Sequence, residues 1–539
     1  MSNASSRLAV LVLAAVLASA PGILRAQSGD TGEPPLRFNG DPFADLAIGA
    51  PYAWVGAVQA GAVNVLHGSS PDGLTALQSQ LWDQSVLGSD PHGAEAGDEF
   101  GYSLEAADFN GDRHLDLAIG VPSESWGNPN AGAVNVVYGS PTGLSVTGNQ
   151  FWHMDIGGPG DRWGFSLAGG DFNGDGFADL AIGIPFSDAA GGIDDAGSVW
   201  IIYGSSDGLT PWGYQSWYQD SPGVAGYAEP DDGFGYALAA GDFNRDGRAD
   251  LAIGVVAEDY AVEDDGVVHV LYGSAAGLTA DDDDLWYEGA LGATAAVDDF
   301  FGTALASGDF NGDGADDLAV SAGGRQVGGS LSAGVVYVIF GSDAGLVATG
   351  SQAWSQDSPG VGGVSEPNDH FGSKLAAGDL DGNGCADLAV GVPDESLAAN
   401  YEGCVNVLYG SASGLVASPT VWAQDSPGIA DSPETDDLFG SALAIGDFDG
   451  DAYGDLAVGA PGEILESLNN SSGAVHVLYG SQDGLSAAGS QFWHQEVPGV
   501  PGEGGGYFGA ALASVPISRI LFIDGFESGD TSAWSATVP

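Results

Sequence analysis

The segment 171–182, DFNGDGFADLAI, carries oxygen-bearing side chains at a spacing that suits a metal ion. Asp171, Asn173 and Asp175 occupy loop positions 1, 3 and 5, a glycine at position 6 permits a tight turn, and Asp179 follows at position 9. Side chains at these positions, with a backbone carbonyl at position 7, can surround one hard cation with oxygen, as calcium-binding loops do. The apolar run that follows is typical of a buried strand. The segment therefore predicts a calcium loop inside a β-hairpin.

This loop recurs along the chain with a nearly constant period. Its first position falls at residues 37, 108, 171, 242, 309, 379 and 447. A Phe-Gly or Trp-Gly pair, an L-A-I-G run, a G-A-V-x-V run and one tryptophan recur in the same phase, so each repeat holds four strand signals. These repeats predict an all-β fold, a seven-bladed β-propeller of four-stranded antiparallel blades.

The two ends of the chain predict how the ring closes. The first repeat lacks the Phe-Gly pair that opens the others. A further pair, Phe508-Gly509, follows the last complete repeat and leads into 510–515 with no loop after it. We expect this C-terminal strand to complete blade 1, because that closure removes an open sheet edge. The propeller then spans residues 37–515.

The N-terminal residues have the features of an export signal. Arg7 precedes the apolar run Leu8–Ala20, which is too short for a bilayer because a transmembrane helix takes roughly 20 residues. Residues 1–26 are predicted to be a signal peptide, cleaved after Ala20 or Ala26, and 27–36 a linker. No later segment is long enough to span a membrane, so we expect a secreted or cell-surface protein.

The charge balance limits the classes of partner. The chain has 10 Lys and Arg against 74 Asp and Glu, a net charge of −64. Such a surface excludes nucleic acid as a favourable partner, because phosphate backbones need positive charge. Cations bound in the repeated loops would cancel part of the negative charge.

Two cysteines, Cys385 and Cys404, fall in the same repeat. If the strands they flank form a hairpin, the two residues lie near its opposite ends. At ~3.3 Å per residue that separation is far beyond the reach of a disulfide. We therefore expect no bond between them.

The repeated motifs resemble the FG-GAP repeats of the integrin α-subunit propeller. The shared features are the Phe-Gly pairs, the D-x-[DN]-x-D-G-x-x-D-L loops and Gly-Ala/Val-Pro strand ends, as at Gly49–Pro51 and Gly120–Pro122. The resemblance covers about residues 37–515. It implies calcium in the hairpin loops on one face of the ring and ligand contacts on the opposite face. Without a thigh-like domain or an inserted adhesion domain, the chain looks like a free-standing secreted propeller of the bacterial kind.

Carried over loop by loop, the resemblance implies Ca²⁺ in up to six loops. The side-chain ligands would be Asp108, Asn110, Asp112, Asp116; Asp171, Asn173, Asp175, Asp179; Asp242, Asn244, Asp246, Asp250; Asp309, Asn311, Asp313, Asp317; Asp379, Asp381, Asn383, Asp387; and Asp447, Asp449, Asp451, Asp455. Arg113 and Ala452 replace glycine at position 6 of two loops and put the geometry of those turns in question.

Loop 1 departs from the pattern. Arg37 stands where the first Asp should be, with Asn39, Asp41 and Asp45 at the other ligand positions. A positive side chain at position 1 repels a cation. We therefore expect loop 1 to bind calcium weakly or not at all.

The segments after the Gly-Ala/Val-Pro ends vary between repeats, unlike the frame around them. They include 51–60, 122–131, 185–196, 255–265 and 321–333. Variable loops on a rigid scaffold commonly carry binding function. The acidic segments that join blades, such as Asp220–Asp232 and Asp357–Asp369, are expected on the same face.

These features favour a monomeric binding or adhesion module with an extracellular protein or glycan ligand on the variable-loop face. A carbohydrate-binding propeller is the alternative, with Trp54 and Trp126 as sugar-stacking candidates. A secreted hydrolase comes third, because the spacing reveals no Ser–His–Asp or Cys–His arrangement and the scattered histidines occupy strand positions. We expect no enzymatic activity.

The tail at 516–539 contains F-x-D-G-F-E-S-G-D-x-S-x-W-S. It resembles a C-terminal motif of many otherwise unrelated secreted bacterial proteins, where a sorting or anchoring role is suspected. The other interpretation is a loosely docked chain end.

Overall fold

The computed structural model describes residues 37–88, 93–154, 157–189, 192–397, 399–465, 472–502 and 505–514. The signal peptide, linker and tail expected at 1–26, 27–36 and 516–539 lie outside the described residues. Seven four-stranded antiparallel sheets make up nearly all of the regular structure. The predicted seven-bladed propeller is therefore confirmed.

Blade 1 begins near the start of the described chain. Its part of the chain forms β1 (Leu46–Ala50), the short hairpin β2 (Trp54–Val55) and β3 (Val58–Gln59), β4 (Ala62–His67) and β5 (Thr75–Trp82), followed by the helix α1 (Gln84–Leu87).

Blades 2 to 7 each use four consecutive strands, from the inner strand to the outer one. Blades 2 to 4 are β6 (Leu104–Ala107), β7 (Asp116–Val121), β8 (Ala133–Tyr138), β9 (Ser145–His153); β10 (Ser166–Gly170), β11 (Asp179–Ile184), β12 (Ser198–Tyr203), β13 (Thr210–Trp217); and β14 (Phe234–Gly241), β15 (Asp250–Val255), β16 (Val267–Tyr272), β17 (Thr279–Trp286). Blades 5 to 7 are β18 (Phe301–Gly308), β19 (Asp317–Ala322), β20 (Val335–Phe340), β21 (Val347–Trp354); β22 (Lys374–Gly378), β23 (Asp387–Val392), β24 (Cys404–Tyr409), β25 (Val416–Trp422); and β26 (Ala442–Gly446), β27 (Asp455–Ala460), β28 (Ala474–Tyr479), β29 (Ser486–Trp493). A 3₁₀ turn at Glu288–Leu291 precedes blade 5, and β30 (Ala511–Ala513) ends the described chain.

The C-terminal strand closes the ring as expected. β30 pairs antiparallel with β1, with Leu512 opposite Ile48, and supplies the inner strand of blade 1. It also contacts the inner strands of blades 2 and 7. On the outer side, Gln491 accepts a hydrogen bond from Leu74 N at 3.0 Å and donates to Leu74 O at 2.9 Å. Blade 1 is thus formed by strands from both ends of the chain, and hydrogen bonds between Gln491 and Leu74 connect it to blade 7.

The glycines of the repeat allow neighbouring blades to approach closely. In blade 3, a Cβ added to Gly183 would lie 2.2 Å from the carbonyl oxygen of Gly235 in the Phe-Gly pair of blade 4. The same pair supplies Phe234, which is fully buried. The first and second strands of a blade, such as β10 and β11, are buried on both faces because they lie between two blades, whereas outer strands such as β13 are partly or fully exposed along their length.

Antiparallel strands place alternate loops at opposite ends of the blades. Within each blade, the loop from the first to the second strand and the turn from the third to the fourth strand lie on the same face. We call this the AB face. The BC face carries the loops from second to third strand and the connectors between blades. This arrangement puts the calcium-type loops and the variable segments on opposite faces.

Candidate cation loops and the opposite face

All six candidate loops join the first and second strands of blades 2 to 7, on the AB face. Their position-9 aspartates are the first residues of the second strands, from Asp116 in β7 to Asp455 in β27. The side chains predicted for each site therefore lie within one hairpin, and in loops 6 and 7 the carboxylate oxygens of positions 1, 3 and 9 are grouped together. Loop 3 illustrates the geometry.

Backbone N–H groups fix the carboxylate at position 1. Asp171 Oδ1 accepts hydrogen bonds from Gly174 N at 2.7 Å and Asp175 N at 3.1 Å, and Oδ2 accepts one from Gly176 N at 2.9 Å. Asn173 Oδ1 in turn accepts from Asp175 N at 2.8 Å. Asp and Asn form such turns because their short side chains reach the backbone two or more residues ahead. The loop is thus held in shape by its own candidate ligands.

Position 9 anchors the loop to the blade. Asp179 is fully buried and accepts hydrogen bonds from Phe172 N and Gly204 N, both at 2.9 Å. Burial, together with the charges of Asp171 and Asp175, raises the pKa of Asp179 to about 8. A bound cation would oppose that shift, because an adjacent positive charge favours the ionised carboxylate.

The same environment recurs in the other loops. Burial raises the pKa of every position-9 aspartate, to about 8 for Asp317, Asp387 and Asp455 and well above the ordinary value for Asp116 and Asp250.

The donor set fits calcium. In loop 6, ligand oxygens of Asp379, Asp381 and Asp387 lie within 4.8 Å of one another, and loop 7 groups the corresponding three aspartates in the same way. Loops 2 to 5 carry Asn at position 3, which offers an amide oxygen in place of a carboxylate. Hard oxygen donors of this kind suit Ca²⁺, which takes 6–8 oxygen ligands.

The two loops without glycine at position 6 keep the same turn. Arg113 and Ala452 adopt left-handed backbone angles, with φ of 73° and 72°. Their N–H groups still donate to the position-1 carboxylates, Arg113 N to Asp108 Oδ2 at 2.9 Å and Ala452 N to Asp447 Oδ2 at 3.2 Å. These residues carry the steric cost of a left-handed conformation, and the loop geometry is retained.

Loop 1 has a different electrostatic environment. Arg37 is 3% exposed, and Asp45 at position 9 is hydrogen-bonded to Nδ1 of His67 at 3.0 Å. Asn39 donates its amide to Asp41 Oδ2 at 2.8 Å. Burial opposes protonation of His67, but the hydrogen bond and charge of Asp45 raise its pKa overall. A guanidinium and an imidazole thus accompany these acids, so loop 1 does not fit a cation as the other loops do.

The BC face presents the aromatic candidates unequally. Trp54, on β2, is 51% exposed. Trp126 packs on the chain itself, with its ring 4.0 Å from that of His153 and 5.5 Å from that of Phe151. Tyr227, which belongs to none of the repeated motifs, is 82% exposed in the connector that leads to blade 4. Its place in an acidic inter-blade segment was the only available signal.

His269, His476 and the two cysteines belong to the repeated hairpins and strands of the blades. His476 is fully buried, and burial lowers its pKa to about 3. His269, also buried, contacts Asp283 at 3.2 Å. Cys385 and Cys404 form no disulfide, and Cys404 is buried in β24, opposite Val392.

Sequence comparisons agree with this geometry. The FG-GAP repeat family matches residues 100–137, 163–202, 234–271, 301–339, 371–405 and 439–478. The fold and loops define a seven-bladed propeller with acidic hairpin loops. The chain is an FG-GAP repeat protein that resembles the integrin α-subunit propeller. Blade 1, which is divided between the chain ends, lies outside the matched segments.

Similar proteins include integrin alpha chains and a phospholipase D. Integrin alpha-PS2 of Drosophila melanogaster is 32% identical over 38% of this chain and 13% of its own length. Integrin alpha-IIb of Mus musculus is 34% identical over 30% of this chain and 15% of its own. Phosphatidylinositol-glycan-specific phospholipase D of Bos taurus is 35% identical over 30% of this chain and 18% of its own. The matched region therefore spans less than a fifth of each relative.

None of the helices in the described part of the chain has the length and apolar character needed to cross a bilayer.

Proposed function

We propose that this protein is a secreted, calcium-stabilised propeller that binds an extracellular protein through its BC face. The observation that carries the proposal is the contrast between faces: six AB loops repeat one oxygen-donor arrangement, whereas the BC loops differ from blade to blade. Extracellular millimolar calcium suits weak modular sites of this kind. The predicted signal peptide at 1–26 supports the location.

Calcium acts as a structural ion in this proposal. When bound, it neutralises carboxylates that otherwise repel one another at the ends of the inner strands. The chain's own residues do the rest: Asp171 and its counterparts shape the loops, and Asp179 and its counterparts tie them to the blades. The BC loops are then presented on a stiff ring.

We assign the chain a binding role and no catalytic one. The phospholipase D of Bos taurus matches it over 18% of its length, so that protein's activity is not carried over. The histidines His269 and His476 belong to strands and are fully buried. A propeller supports many functions, and the BC face therefore has to be tested directly.

The test is a pull-down with the mature chain, expected to be 27–539. The immobilised protein is exposed to cell-surface and matrix extracts with calcium or with chelator, and retained proteins are identified by mass spectrometry. We expect a partner that is retained with calcium and lost when Tyr227→Ala is combined with Trp54→Ala. Asp207→Ala, an exposed change on the AB face, is the matched control and should retain it. If a folded protein captures no partner in calcium, the adhesion proposal is wrong for the surfaces tested.

A lectin role is the second candidate, favoured by the exposure of Trp54. An exposed indole face can stack on a sugar ring. Screening the protein on a glycan array distinguishes the two roles, because a lectin binds isolated glycans without any protein partner. Binding of glycans that is lost in Trp54→Ala would replace the protein-binding proposal.

A further inference from the structure

Groups of three acids also lie on the BC face at three blade junctions of the described chain, and the group between blades 5 and 6 lines a cavity. Glu366 and Asp369, in the connector to blade 6, and Glu395, in the loop after β23, each place a carboxylate oxygen within 4.8 Å of the others. Asp369 and Glu395 are 2% and 3% exposed. Two buried carboxylates therefore meet a third at one point, far from the loops of the AB face.

Gln356 provides an independent indication of a ligand. Its side chain is 2% exposed and lies against the acidic group, with Nε2 donating a hydrogen bond to Glu395 Oε2. Its Oε1 has no hydrogen-bond partner among the described residues. Buried polar oxygens almost always have a partner. This oxygen belongs to the same amide group that contacts Glu395, and it is a hard donor of the kind that a cation binds.

The preceding blade junction shows that this position of the fold accepts positive charge. In the repeat alignment, Glu288, Asp299 and Arg325 correspond to Gln356, Asp369 and Glu395. The Nη1 atom of Arg325 lies 3.0 Å from Glu288 Oε2 and 2.6 Å from Asp299 Oδ2. Between blades 4 and 5, the chain thus supplies its own cation to the buried acids.

The acidic group opens onto a cavity of about 670 Å³. Glu366 and Asp369 line it together with Ser330, Asn400 and Tyr401. The lining is mainly polar, and a molecule in the cavity could bring oxygen atoms to the acids. A cation held here would be accessible from solvent on the proposed ligand face.

We propose that Glu366, Asp369 and Glu395, with the amide oxygen of Gln356, form a calcium site of a second type on the BC face. Four protein oxygens are fewer than the 6–8 that calcium takes, so its remaining positions face the cavity. This site differs from the AB loops in that its ligands come from two blades. It stands whether or not the AB loops bind calcium.

The test compares bound calcium in full-length protein and in a variant that copies the junction between blades 4 and 5. Gln356→Glu combined with Glu395→Arg replaces the proposed ion with a guanidinium. We expect bound calcium, measured by mass spectrometry of the metal after equilibrium dialysis, to fall by one ion per chain. An unchanged calcium content in the folded variant would overturn the proposal.

Two further variants keep the result interpretable. Glu366→Gln with Asp369→Asn removes charge without adding a bulky side chain. This variant should also lose one calcium ion, and it replaces the first variant as the test if that one does not fold. Asp379→Asn with Asp381→Asn, in AB loop 6, should remove one different ion, so that combining it with the junction variant removes two. Loss only in the junction variants would refute calcium binding by loop 6 while supporting this site.

Discussion

The two faces of the propeller use the same seven-fold frame differently. On the AB face, blades 2 to 7 repeat one set of donors, held by the same backbone hydrogen bonds. On the BC face, a buried glutamine bonded to a loop glutamate recurs at four blade junctions. Other features there occur once among the described residues: an exposed Trp54 in blade 1, Arg325 among acids between blades 4 and 5, and a polar cavity between blades 5 and 6. Side-chain arrangements that recur from blade to blade stabilise the propeller as a whole, whereas a feature that occurs in one blade is suited to binding a particular ligand.

The comparison predicts its largest effect for a buried aspartate of the AB face. Asp179→Ala leaves two backbone N–H groups without their acceptor and removes a candidate ligand, so we expect a loss of about 3 kcal/mol in the free energy of unfolding. Asp188→Ala, an exposed change on the BC face, is the control and should stay within about 0.5 kcal/mol. Denaturant unfolding in calcium measures both. Equal effects would remove the distinction between the faces.

Loop 1 offers a way to extend the AB pattern. Arg37→Asp restores the missing position-1 carboxylate. We expect the variant to be less stable than the natural protein in chelator and to recover in calcium, by about 2.7 kcal/mol at a calcium concentration of 100 times Kd. Thermal unfolding under both conditions measures the change. The assignment of Arg37 as the residue that excludes the ion would be contradicted if calcium raised the Tm of the variant by no more than it raises the Tm of the natural protein.

A buried lysine at the BC end of blade 6 sharpens the comparison. Lys374 is 2% exposed, and burial lowers its pKa from 10.5 to about 7. The unfolded chain therefore takes up this proton at higher pH than the folded chain, and stability is lost as pH falls from about 10.5 to about 7. We expect Lys374→Met to raise the free energy of unfolding by about 2 kcal/mol at pH 6.

The pH profile is the control for this prediction. The difference between Lys374→Met and the natural protein should be largest below pH 7 and should shrink towards pH 10. A difference that does not depend on pH would show that packing, and not the buried charge, is responsible.

The smallest effect on stability is expected for the exposed tryptophan of blade 1. Trp54→Ala should change the free energy of unfolding by less than about 0.5 kcal/mol, because the side chain is half exposed. If Trp54 contributes to ligand binding, retention of the partner or glycan falls while Tm stays constant. A large fall in Tm would instead show that Trp54 contributes to the stability of the propeller.

The sequence predicted the ring because its signals are periodic. The repeat of Phe-Gly pairs, loops and tryptophans determined the number of blades, and Phe508-Gly509 indicated which strand closes blade 1. Local spacing also located the loop donors, since Asp171, Asn173 and Asp175 lie within one turn of each other. Such contacts are short-range and leave a clear pattern in a single chain.

Contacts between blades were harder to predict. Gln491 and Leu74 are more than 400 positions apart, and the pairing of Gln356 with Glu395 depends on how one blade is rotated against the next. The sequence does contain a signal for these contacts: Gln491 lies two residues before the repeated tryptophan of its blade, and Gln356 lies two residues after that of its own. The exposure of Tyr227 and the packing of Trp126 depend on loop conformations that no repeat specifies.

The central claim is that calcium in the AB loops holds the propeller together. Its most direct test is thermal unfolding of the purified protein with calcium and with chelator, followed by re-addition of calcium to the chelated sample. We predict that chelation lowers Tm by about 10 °C or more and that calcium restores it, since ligands of the folded state alone stabilise it by mass action. Coincident unfolding curves in calcium and chelator would contradict the claim.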